Sequence, residues 1–466
     1  MLVEKLTPIF FKKKLRQIEF PYIIKLRTII IKDVVYLSHN YSIKILLNIK
    51  DKNIFFDNNF VENKNVKGIN SKVFNAKLTY SPNNCPCCGG DGKQIIKYGF
   101  KASLINMPKI SSFNTYINLK KQRFLCKQCY QTFIATTNIV NKHCHISKYT
   151  KLAIALEASE KISEKDIARH FNVSHNTVNR VISSHFNDYS PNKDFLPKVL
   201  CFDEFKSTKN CSGAMSFIMC DGITHKIVDI VENRQLNHLI DYFSRYTLES
   251  RNMVEHIVID MYSPYLSLIK ELFPKAKVSI DRFHLVQLVN RSFNKTRIAV
   301  MNQYSNKNKP LYNKLKKYWK LLLMSYTDLS YERKIYCRSF KRYISQKEII
   351  DYLLDQDEEL SMAYDVYQDF HYAIKKRSFE LFKIALKKHK NIENKYLKTS
   401  LNTFKIYLNH IENSLKYEYS NGPLEGINNK IKVIKRIAFG YRSFLNLRRR
   451  ILITCNLINI KGTSSV

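Results

Sequence analysis

No uninterrupted apolar run of about 18 residues occurs anywhere in this chain, so its sequence offers no membrane-spanning helix. The densest early patch, Ile29 to Ile31, sits among Lys25, Arg27 and Lys32. A charged-then-apolar leader ending in small residues is also missing, and export is not expected. Acidic residues are few: 39 Asp and Glu stand against 77 Lys and Arg, a net charge of +38. Such a chain repels itself strongly unless a polyanion neutralises it. The basic residues are spread along the whole sequence, which points to nucleic acid rather than a membrane surface. Residues 285–419 contain no glycine and one proline, and their Lys, Leu, Tyr and Phe recur at three- and four-residue spacing. That excludes a turn-rich β region there and predicts a long helical stretch with no strand. A repeat of fixed period, the mark of a solenoid, is absent as well.

What is present is ordinary globular composition, 45% hydrophobic and 25% charged, over 466 residues. Disorder throughout is thereby excluded, and roughly three domains are expected. Eleven cysteines are an odd number in a large, Lys-rich chain, which suits reduced thiols or metal ligands better than disulfides. Along the chain, residues 1–40 read as an extension of unknown role. Residues 41–84 read as a small β unit of short alternating strands and 85–133 as a zinc ribbon. Residues 147–187 read as a helix-turn-helix DNA-binding domain and 198–284 as an α/β block. Residues 285–419 read as a helical insertion, and 420–458 as the last helices of the interrupted core.

Cys85 with Cys88 and Cys126 with Cys129 form two C-x-x-C pairs, each tight enough to occupy one edge of a tetrahedral metal. The 37 residues between the pairs exceed the usual spacing, but an inserted β-hairpin would keep the ends together. The expectation is a structural Zn²⁺ with every position filled by protein; buried reduced thiols are the alternative. Cys87, His143, Cys144 and His145 read as loop residues. Downstream, EKISEKDIARHFNVSHNTVNRVISSHF places Ser163 and Ser174 as caps of two short helices with a break at Asn172. Ile167, Phe171, Val173, Val178 and Ile182 fit the packed face. His175, Asn176, Asn179 and Arg180 are left outward on the second helix, and these are residue types that read bases and phosphates in a DNA groove. A helical pair used only for packing is the plainer reading.

LPKVLCFDEF reads as a buried strand delivering Asp203, AMSFIMCDGITHKIVDIVENR as a hairpin, EHIVIDMYSPY as a strand ending in Asp260, and KVSID as a strand ending in Asp281. Three strands, helix, strand, helix, strand is the order of a ribonuclease-H-like fold, in which the first and fourth strands bring two aspartates together and a later helix adds a third acid. SNGPLEGINNKIKVIKRIAFGYRSF supplies a candidate. Asn421 can cap that helix and Pro423 fits its first turn, so Glu425, Asn429 and Lys432 share one face. Converging carboxylates suit two Mg²⁺ ions in phosphoryl transfer. Each acid also has a plain reading: Asp203 and Asp260 as turn or helix caps, Glu425 as a surface charge.

FDEF at Asp203, VIDMYSPY at Asp260, VSIDRFH from Asp281 to His284, and SNGPLEGINNKIKVIKRIAFGYR around Glu425 together resemble bacterial insertion-sequence transposases of the DDE class, in the ISL3 family. The likeness runs from about residue 41 to about 458, with residues 1–40 unmatched. It implies a ribonuclease-H-like catalytic core interrupted by an all-helical insertion, behind an N-terminal zinc ribbon and helix-turn-helix. It implies the catalytic triad Asp203, Asp260 and Glu425, holding two Mg²⁺ ions, with Lys432 as a DNA-binding base. Asp281 and His284 match a D-x-x-H element that either supports the site or braces the helix entering the insertion. Trp319, the only tryptophan, reads as a core residue, with stacking on an unpaired base as the alternative. The implied partners are double-stranded DNA, both the element's inverted repeats and its target, and further copies of the chain in a dimer or higher oligomer. The implied location is the bacterial cytoplasm, at the nucleoid. Two other classes fit the acids less fully: a non-catalytic DNA-binding repressor or decayed transposase, and a structure-specific nuclease.

Overall fold

The computed structural model describes residues 40–460; the extension read over residues 1–40 falls outside it save for Asn40. The described residues divide into two compact units, residues 40–187 with 459–460, and residues 188–458.

The first unit opens with a helical segment over residues 40–46, where the sequence reading expected strand. Ile43 and Leu47, four apart, are buried, while Ile45 and Leu46 are exposed, so the apolar run takes the helical period. Strands β1 (Ile54–Val66) and β2 (Ile69–Leu78) are antiparallel partners. Lys67 and Gly68 join them, both with positive φ, in the two-residue turn whose twist suits a hairpin. β3 (Ile95–Ile110) and β4 (Phe113–Cys126) form a second hairpin around Ser111 and Ser112, also at positive φ. β2 pairs with β4 in parallel, and the short β5 (Thr132–Ile134) pairs with β4. The order β1-β2-β4-β3 therefore joins into one sheet the strands that the sequence reading separated into a β unit and a zinc ribbon. Ile54, Phe56, Leu78, Ile105, Ile117, Leu119 and Phe124 form its core. Three helices follow: α1 (Lys148–Glu157), α2 (Glu164–His170) and α3 (His175–His185).

The second unit is built on a five-stranded sheet. β6 (Val199–Lys206), β7 (Met215–Asp221) and β8 (Ile227–Val231) form an antiparallel meander, and β9 (His256–Ile259) and β10 (Lys277–Ile280) add in parallel on the other side of β6, giving the order β10-β9-β6-β7-β8. α4 (Leu236–Phe243) and α5 (Leu248–Asn252) lead from β8 to β9, and α6 (Ser263–Leu272) leads from β9 to β10. All four residues of β9 are buried, as expected of a short parallel strand covered on both faces. On one face Phe202 stands at the centre of an aromatic cluster, its ring 5.0 Å from Phe217 and 5.6 Å from Phe243.

The 22-residue α7 (Arg282–Gln303) leaves β10 and enters the insertion. There follow α8 (Lys309–Lys317), α9 (Trp319–Leu322), α10 (Gln346–Leu354), α11 (Glu358–Lys375), α12 (Phe379–Lys388), α13 (Lys395–Ile406) and α14 (Leu408–Lys416). Phe293 of α7 stacks on Tyr367 of α11 at 5.2 Å. The insertion is not all-helical. β11 (Ile335–Cys337) and β12 (Arg342–Ile344) form a small hairpin, closed by Lys341 at positive φ and a Tyr336–Tyr343 ring pair across the strands. Two short strands with a single aromatic pair are below the length at which alternation is readable. Trp319 is 39% exposed at the start of α9 beside Lys320, so it is not a core residue. The insertion returns to the sheet at α14, where Ser414 Oγ accepts from Ile280 N at 2.8 Å and Asn413 Nδ2 donates to the Val278 carbonyl at 2.9 Å. α15 (Gly422–Ile437) and α16 (Phe444–Thr454) complete the unit.

Candidate active site and metal centre

Three aspartates lie in one row across the parallel strands. Cys201 of β6 pairs with Val258 of β9, and Val258 pairs with Ser279 of β10. Two residues further along each strand come Asp203, Asp260 and Asp281, and the period of two turns all three to one face. Phe202, one residue off this phase, goes to the aromatic core on the other face. The row stands at the carboxyl ends of β9 and β10, where open sheets with parallel strands leave room for ligands.

Burial in the first place, and the charge of Asp260 in the second, raise the Asp203 carboxyl to about 7. The Asp281 carboxyl is also raised, chiefly by burial. Asp281 occupies the cap position of α7 without capping it. One turn into that helix His284 places Nε2 3.0 Å from Asp260 Oδ1, and this hydrogen bond raises the imidazole above its ordinary value. Ligand atoms of Asp260, Asp281 and His284 all lie within 4.8 Å of one another, a grouping that can hold a metal ion. Beside the row, Glu204 is held by an ion pair to Arg234 and by the Tyr265 hydroxyl, which donates to it at 3.2 Å.

α15 crosses this face. Asn421 sits at its cap position, but its side chain makes no cap hydrogen bond. The Nδ2 group donates instead to the Phe202 carbonyl at 2.8 Å and to Asp260 Oδ1 at 3.4 Å, while its backbone N–H points to Asp281 Oδ1 at 3.3 Å. Asn428 Nδ2 donates to Asp203 Oδ2 at 2.7 Å and to the Glu204 carbonyl at 3.3 Å. The capping role expected of Asn421 is thus replaced by a bond to the sheet, and Asn428 was not singled out in the sequence. Its signal was available: positions 421, 425 and 428 follow the i, i+4, i+7 rhythm of one helix face. Glu425 lies between the two asparagines along the helix; it is exposed and is not a member of the gathered ligand group. Lys432 and Asn429 are exposed one to two turns on, joined by a 3.2 Å hydrogen bond.

In the other unit, the four cysteines of the two knuckles converge. Cys85 Sγ lies 3.7 Å from Cys129 Sγ, and Cys88 Sγ 3.8 Å from Cys126 Sγ. A tetrahedral Zn²⁺ with bonds of about 2.3 Å requires sulfur–sulfur separations of about 3.8 Å. The residues after the knuckles, Gly89 and Tyr130, both take positive φ, and each donates its N–H back to the first cysteine's carbonyl at 2.9 Å. The backbone N–H of Cys88 lowers the Cys85 thiol to about 6, toward the thiolate that a metal needs. The donor set fits a structural zinc. His143, Cys144 and His145 join neither metal-capable grouping found among the described residues.

The two short helices beyond the ribbon are capped at the expected serines. Ser163 Oγ accepts from Asp166 N at 3.0 Å and Ser174 Oγ from Thr177 N at 3.2 Å, with Asn172 at positive φ between them. Ile167, Val178 and Ile182 are buried, whereas Phe171 and Val173 are only half-buried. On α3, His175, Asn176 and Arg180 are exposed and Asn179 is half-buried. Glu164 holds two of them, with His175 Nε2 at 3.2 Å and Asn179 Nδ2 at 3.4 Å from its Oε2.

Known proteins match this chain in the same order as these elements. Residues 81–129 match the zinc-finger of the transposases IS204, IS1001, IS1096 and IS1165, residues 135–185 the helix-turn-helix domain of transposase family ISL3, and residues 200–451 the ISL3 DDE transposase family. A transposase for insertion sequence element IS1001 from Bordetella parapertussis is 22% identical over 380 residues, 78% of this chain and 87% of that protein. A Lactococcus lactis subsp. lactis protein named ATP-dependent protease is 43% identical over 111 residues, 24% of this chain; the chain spans 36% of that protein's length. Since the DDE transposase match alone covers more than half of the sequence, with the family's zinc finger and helix-turn-helix matched in front of it, the chain belongs to the ISL3 family of transposases.

Proposed function

We propose that this protein is a metal-dependent DNA transposase that binds the ends of its own insertion sequence, cleaves the phosphodiester there, and joins the freed 3′-hydroxyl to target DNA. The observation that carries this reading is the row of Asp203 and Asp260 on neighbouring strands, crossed by the helix that bears Glu425. The strand order, with the meander β6–β8 and two parallel strands added beside β6, supports reading the core as ribonuclease-H-like. Asp203, Asp260 and Glu425 would hold Mg²⁺, with Asp281 and His284 in support. The half-buried Asp203 fits such an ion, because burial and the charge of Asp260 hold its carboxyl near 7. Bound there, Mg²⁺ supplies charge neutralisation at the phosphate and a more acidic water.

In the first step water adds to phosphorus and the 3′-oxygen leaves, taking a proton to become the terminal hydroxyl. In the second that hydroxyl adds to a target phosphorus and a target 3′-oxygen leaves. No bond to protein forms in either. Lys432, exposed on α15, would meet a phosphate of the bound DNA. His175, Asn176, Asn179 and Arg180 would read the terminal repeats, and the zinc ribbon would serve architecture alone. Two ends must be held together, so a dimer or higher oligomer on DNA is the working form, acting at the nucleoid of the bacterial cytoplasm.

One observation favours a second reading, a DNA-binding repressor without catalysis: Glu425 is exposed and outside the gathered ligand group. Incubating the full chain with Mg²⁺ and end-labelled DNA carrying the element's inverted repeats decides between them. Wild type should nick at the element end while Asp260→Ala and Glu425→Ala should not; equal cleavage by all three overturns the assignment of these acids as catalytic, and binding with no cleavage by any removes the enzymatic reading.

A further inference from the structure

Asn421 and Asn428 are seven residues apart, about 20° from one another around α15, with Glu425 between them in height and within about 60° of both. Both are at least nine-tenths buried, at 4% and 8% exposed. Each gives its amide N–H to an aspartate and to a backbone carbonyl of β6: Asn421 to Asp260 and Phe202, Asn428 to Asp203 and Glu204. Each also keeps a buried Oδ1 with no protein partner. What sets the pair apart is that both amides are spent on the same two kinds of partner, a row aspartate and a β6 carbonyl, from one side of one helix.

We propose that Asn421 and Asn428 are positioning residues that set the orientation of Asp260 and Asp203 and fix the register of α15 so that Glu425 faces them. The inference rests on the reading of those acids as catalytic and adds residues to it. The choice of amide has a chemical reason. A lysine or arginine at either position would neutralise the carboxylate and compete with a cation for it. A carboxamide restrains the carboxylate through one N–H and leaves its negative charge intact. Bonds to the β6 carbonyls fix the amide planes, so the orientation passed to the acids is that of the strand itself. Groups of this kind, one bond removed from the ligands, typically change metal affinity or activity 10- to 100-fold when lost.

The test compares Asn428→Asp with Asn428→Ala, and Asn421→Asp with Asn421→Ala, in single-turnover cleavage of the end-labelled DNA across a Mg²⁺ titration, with melting temperature and DNA affinity measured alongside. Aspartate has the shape of asparagine but cannot donate the N–H when ionised and adds a like charge. A positioning role therefore predicts the aspartate variants to be the worse, down about 100-fold or more against about 10-fold for alanine, with a raised Mg²⁺ requirement and unchanged DNA affinity. A packing role predicts the reverse order. Cleavage within twofold of wild type by the aspartate variants, or a loss that follows loss of folded protein, overturns the proposal. Asp203→Asn and Glu425→Gln are run in the same assay: if they cleave as wild type the catalytic reading itself falls, whereas if they are inactive and the asparagine variants are not, only the positioning role falls.

Discussion

His284 Nε2 stands 3.0 Å from Asp260 Oδ1, one turn inside the helix that Asp281 begins, so the long helix entering the insertion is tied at its head to the acid row. The hydrogen bond holds the same oxygen of Asp260 that Asn421 Nδ2 approaches at 3.4 Å. Replacing His284 with Ala should lower single-turnover cleavage about 10- to 100-fold, as loss of an orienting partner does. DNA affinity should be unchanged. A cleavage rate equal to wild type would show that the contact braces the helix alone.

The zinc site gives a prediction independent of catalysis. With sulfur pairs at 3.7 and 3.8 Å, four thiols this close repel once ionised and need a cation between them. Purified wild-type protein should carry zinc, and Cys126→Ser should lose most of it by elemental analysis. Melting of the first unit should fall with it, because cysteines 126 and 129 end β4 and its turn. Full zinc retention in the variant would point to other ligands.

How much of this was legible depends on whether a residue's task is local. The knuckles, the serine caps and the strand-ending aspartates are local patterns, and the sequence carries them whole. The β3–β4 hairpin turns through Ser111-Ser112, a pair without the glycine or asparagine that usually marks such a turn, so its position was not readable. The segment from Tyr41 satisfies both strand and helix rhythms over too few residues to separate them. The neighbours of Asn421 suit a helix start and so predict a cap; its amide is taken instead by β6 and Asp260, more than 150 residues away in sequence. The Tyr336–Tyr343 hairpin and the exposure of Trp319 likewise depend on neighbours that no local spacing encodes.

His256, buried at the start of β9, bonds through Nε2 to Ser279 Oγ at 2.7 Å. Burial, and after it the charge of Lys277, lower its imidazole to about 4. The unfolded chain, with its histidine near 6.5, then binds the proton first, so stability is complete above about pH 6.5 and falls as pH drops toward 4. The contribution from this group alone has a slope approaching 1.4 kcal/mol per pH unit. Chemical denaturation between pH 7 and 4.5 should show it. His256→Gln should be less stable at pH 7 and show a shallower decline; an equally steep decline would assign the effect to other groups.

On α3, Glu164 holds His175 and Asn179 while Asn176 and Arg180 stand clear of it. The four outward residues therefore divide: two fixed by a carboxylate of the preceding helix, two able to reach DNA without breaking that bond. Asn176→Ala and Arg180→Ala should each weaken binding to the element's end by about 1–3 kcal/mol, with less effect on unrelated DNA if they contact bases. His175→Ala and Asn179→Ala should act more on the stability of the helix pair. Binding titrations on specific and scrambled DNA at one fixed salt concentration separate the two pairs. If all four lower both affinities equally, the helix contributes charge and shape rather than sequence reading.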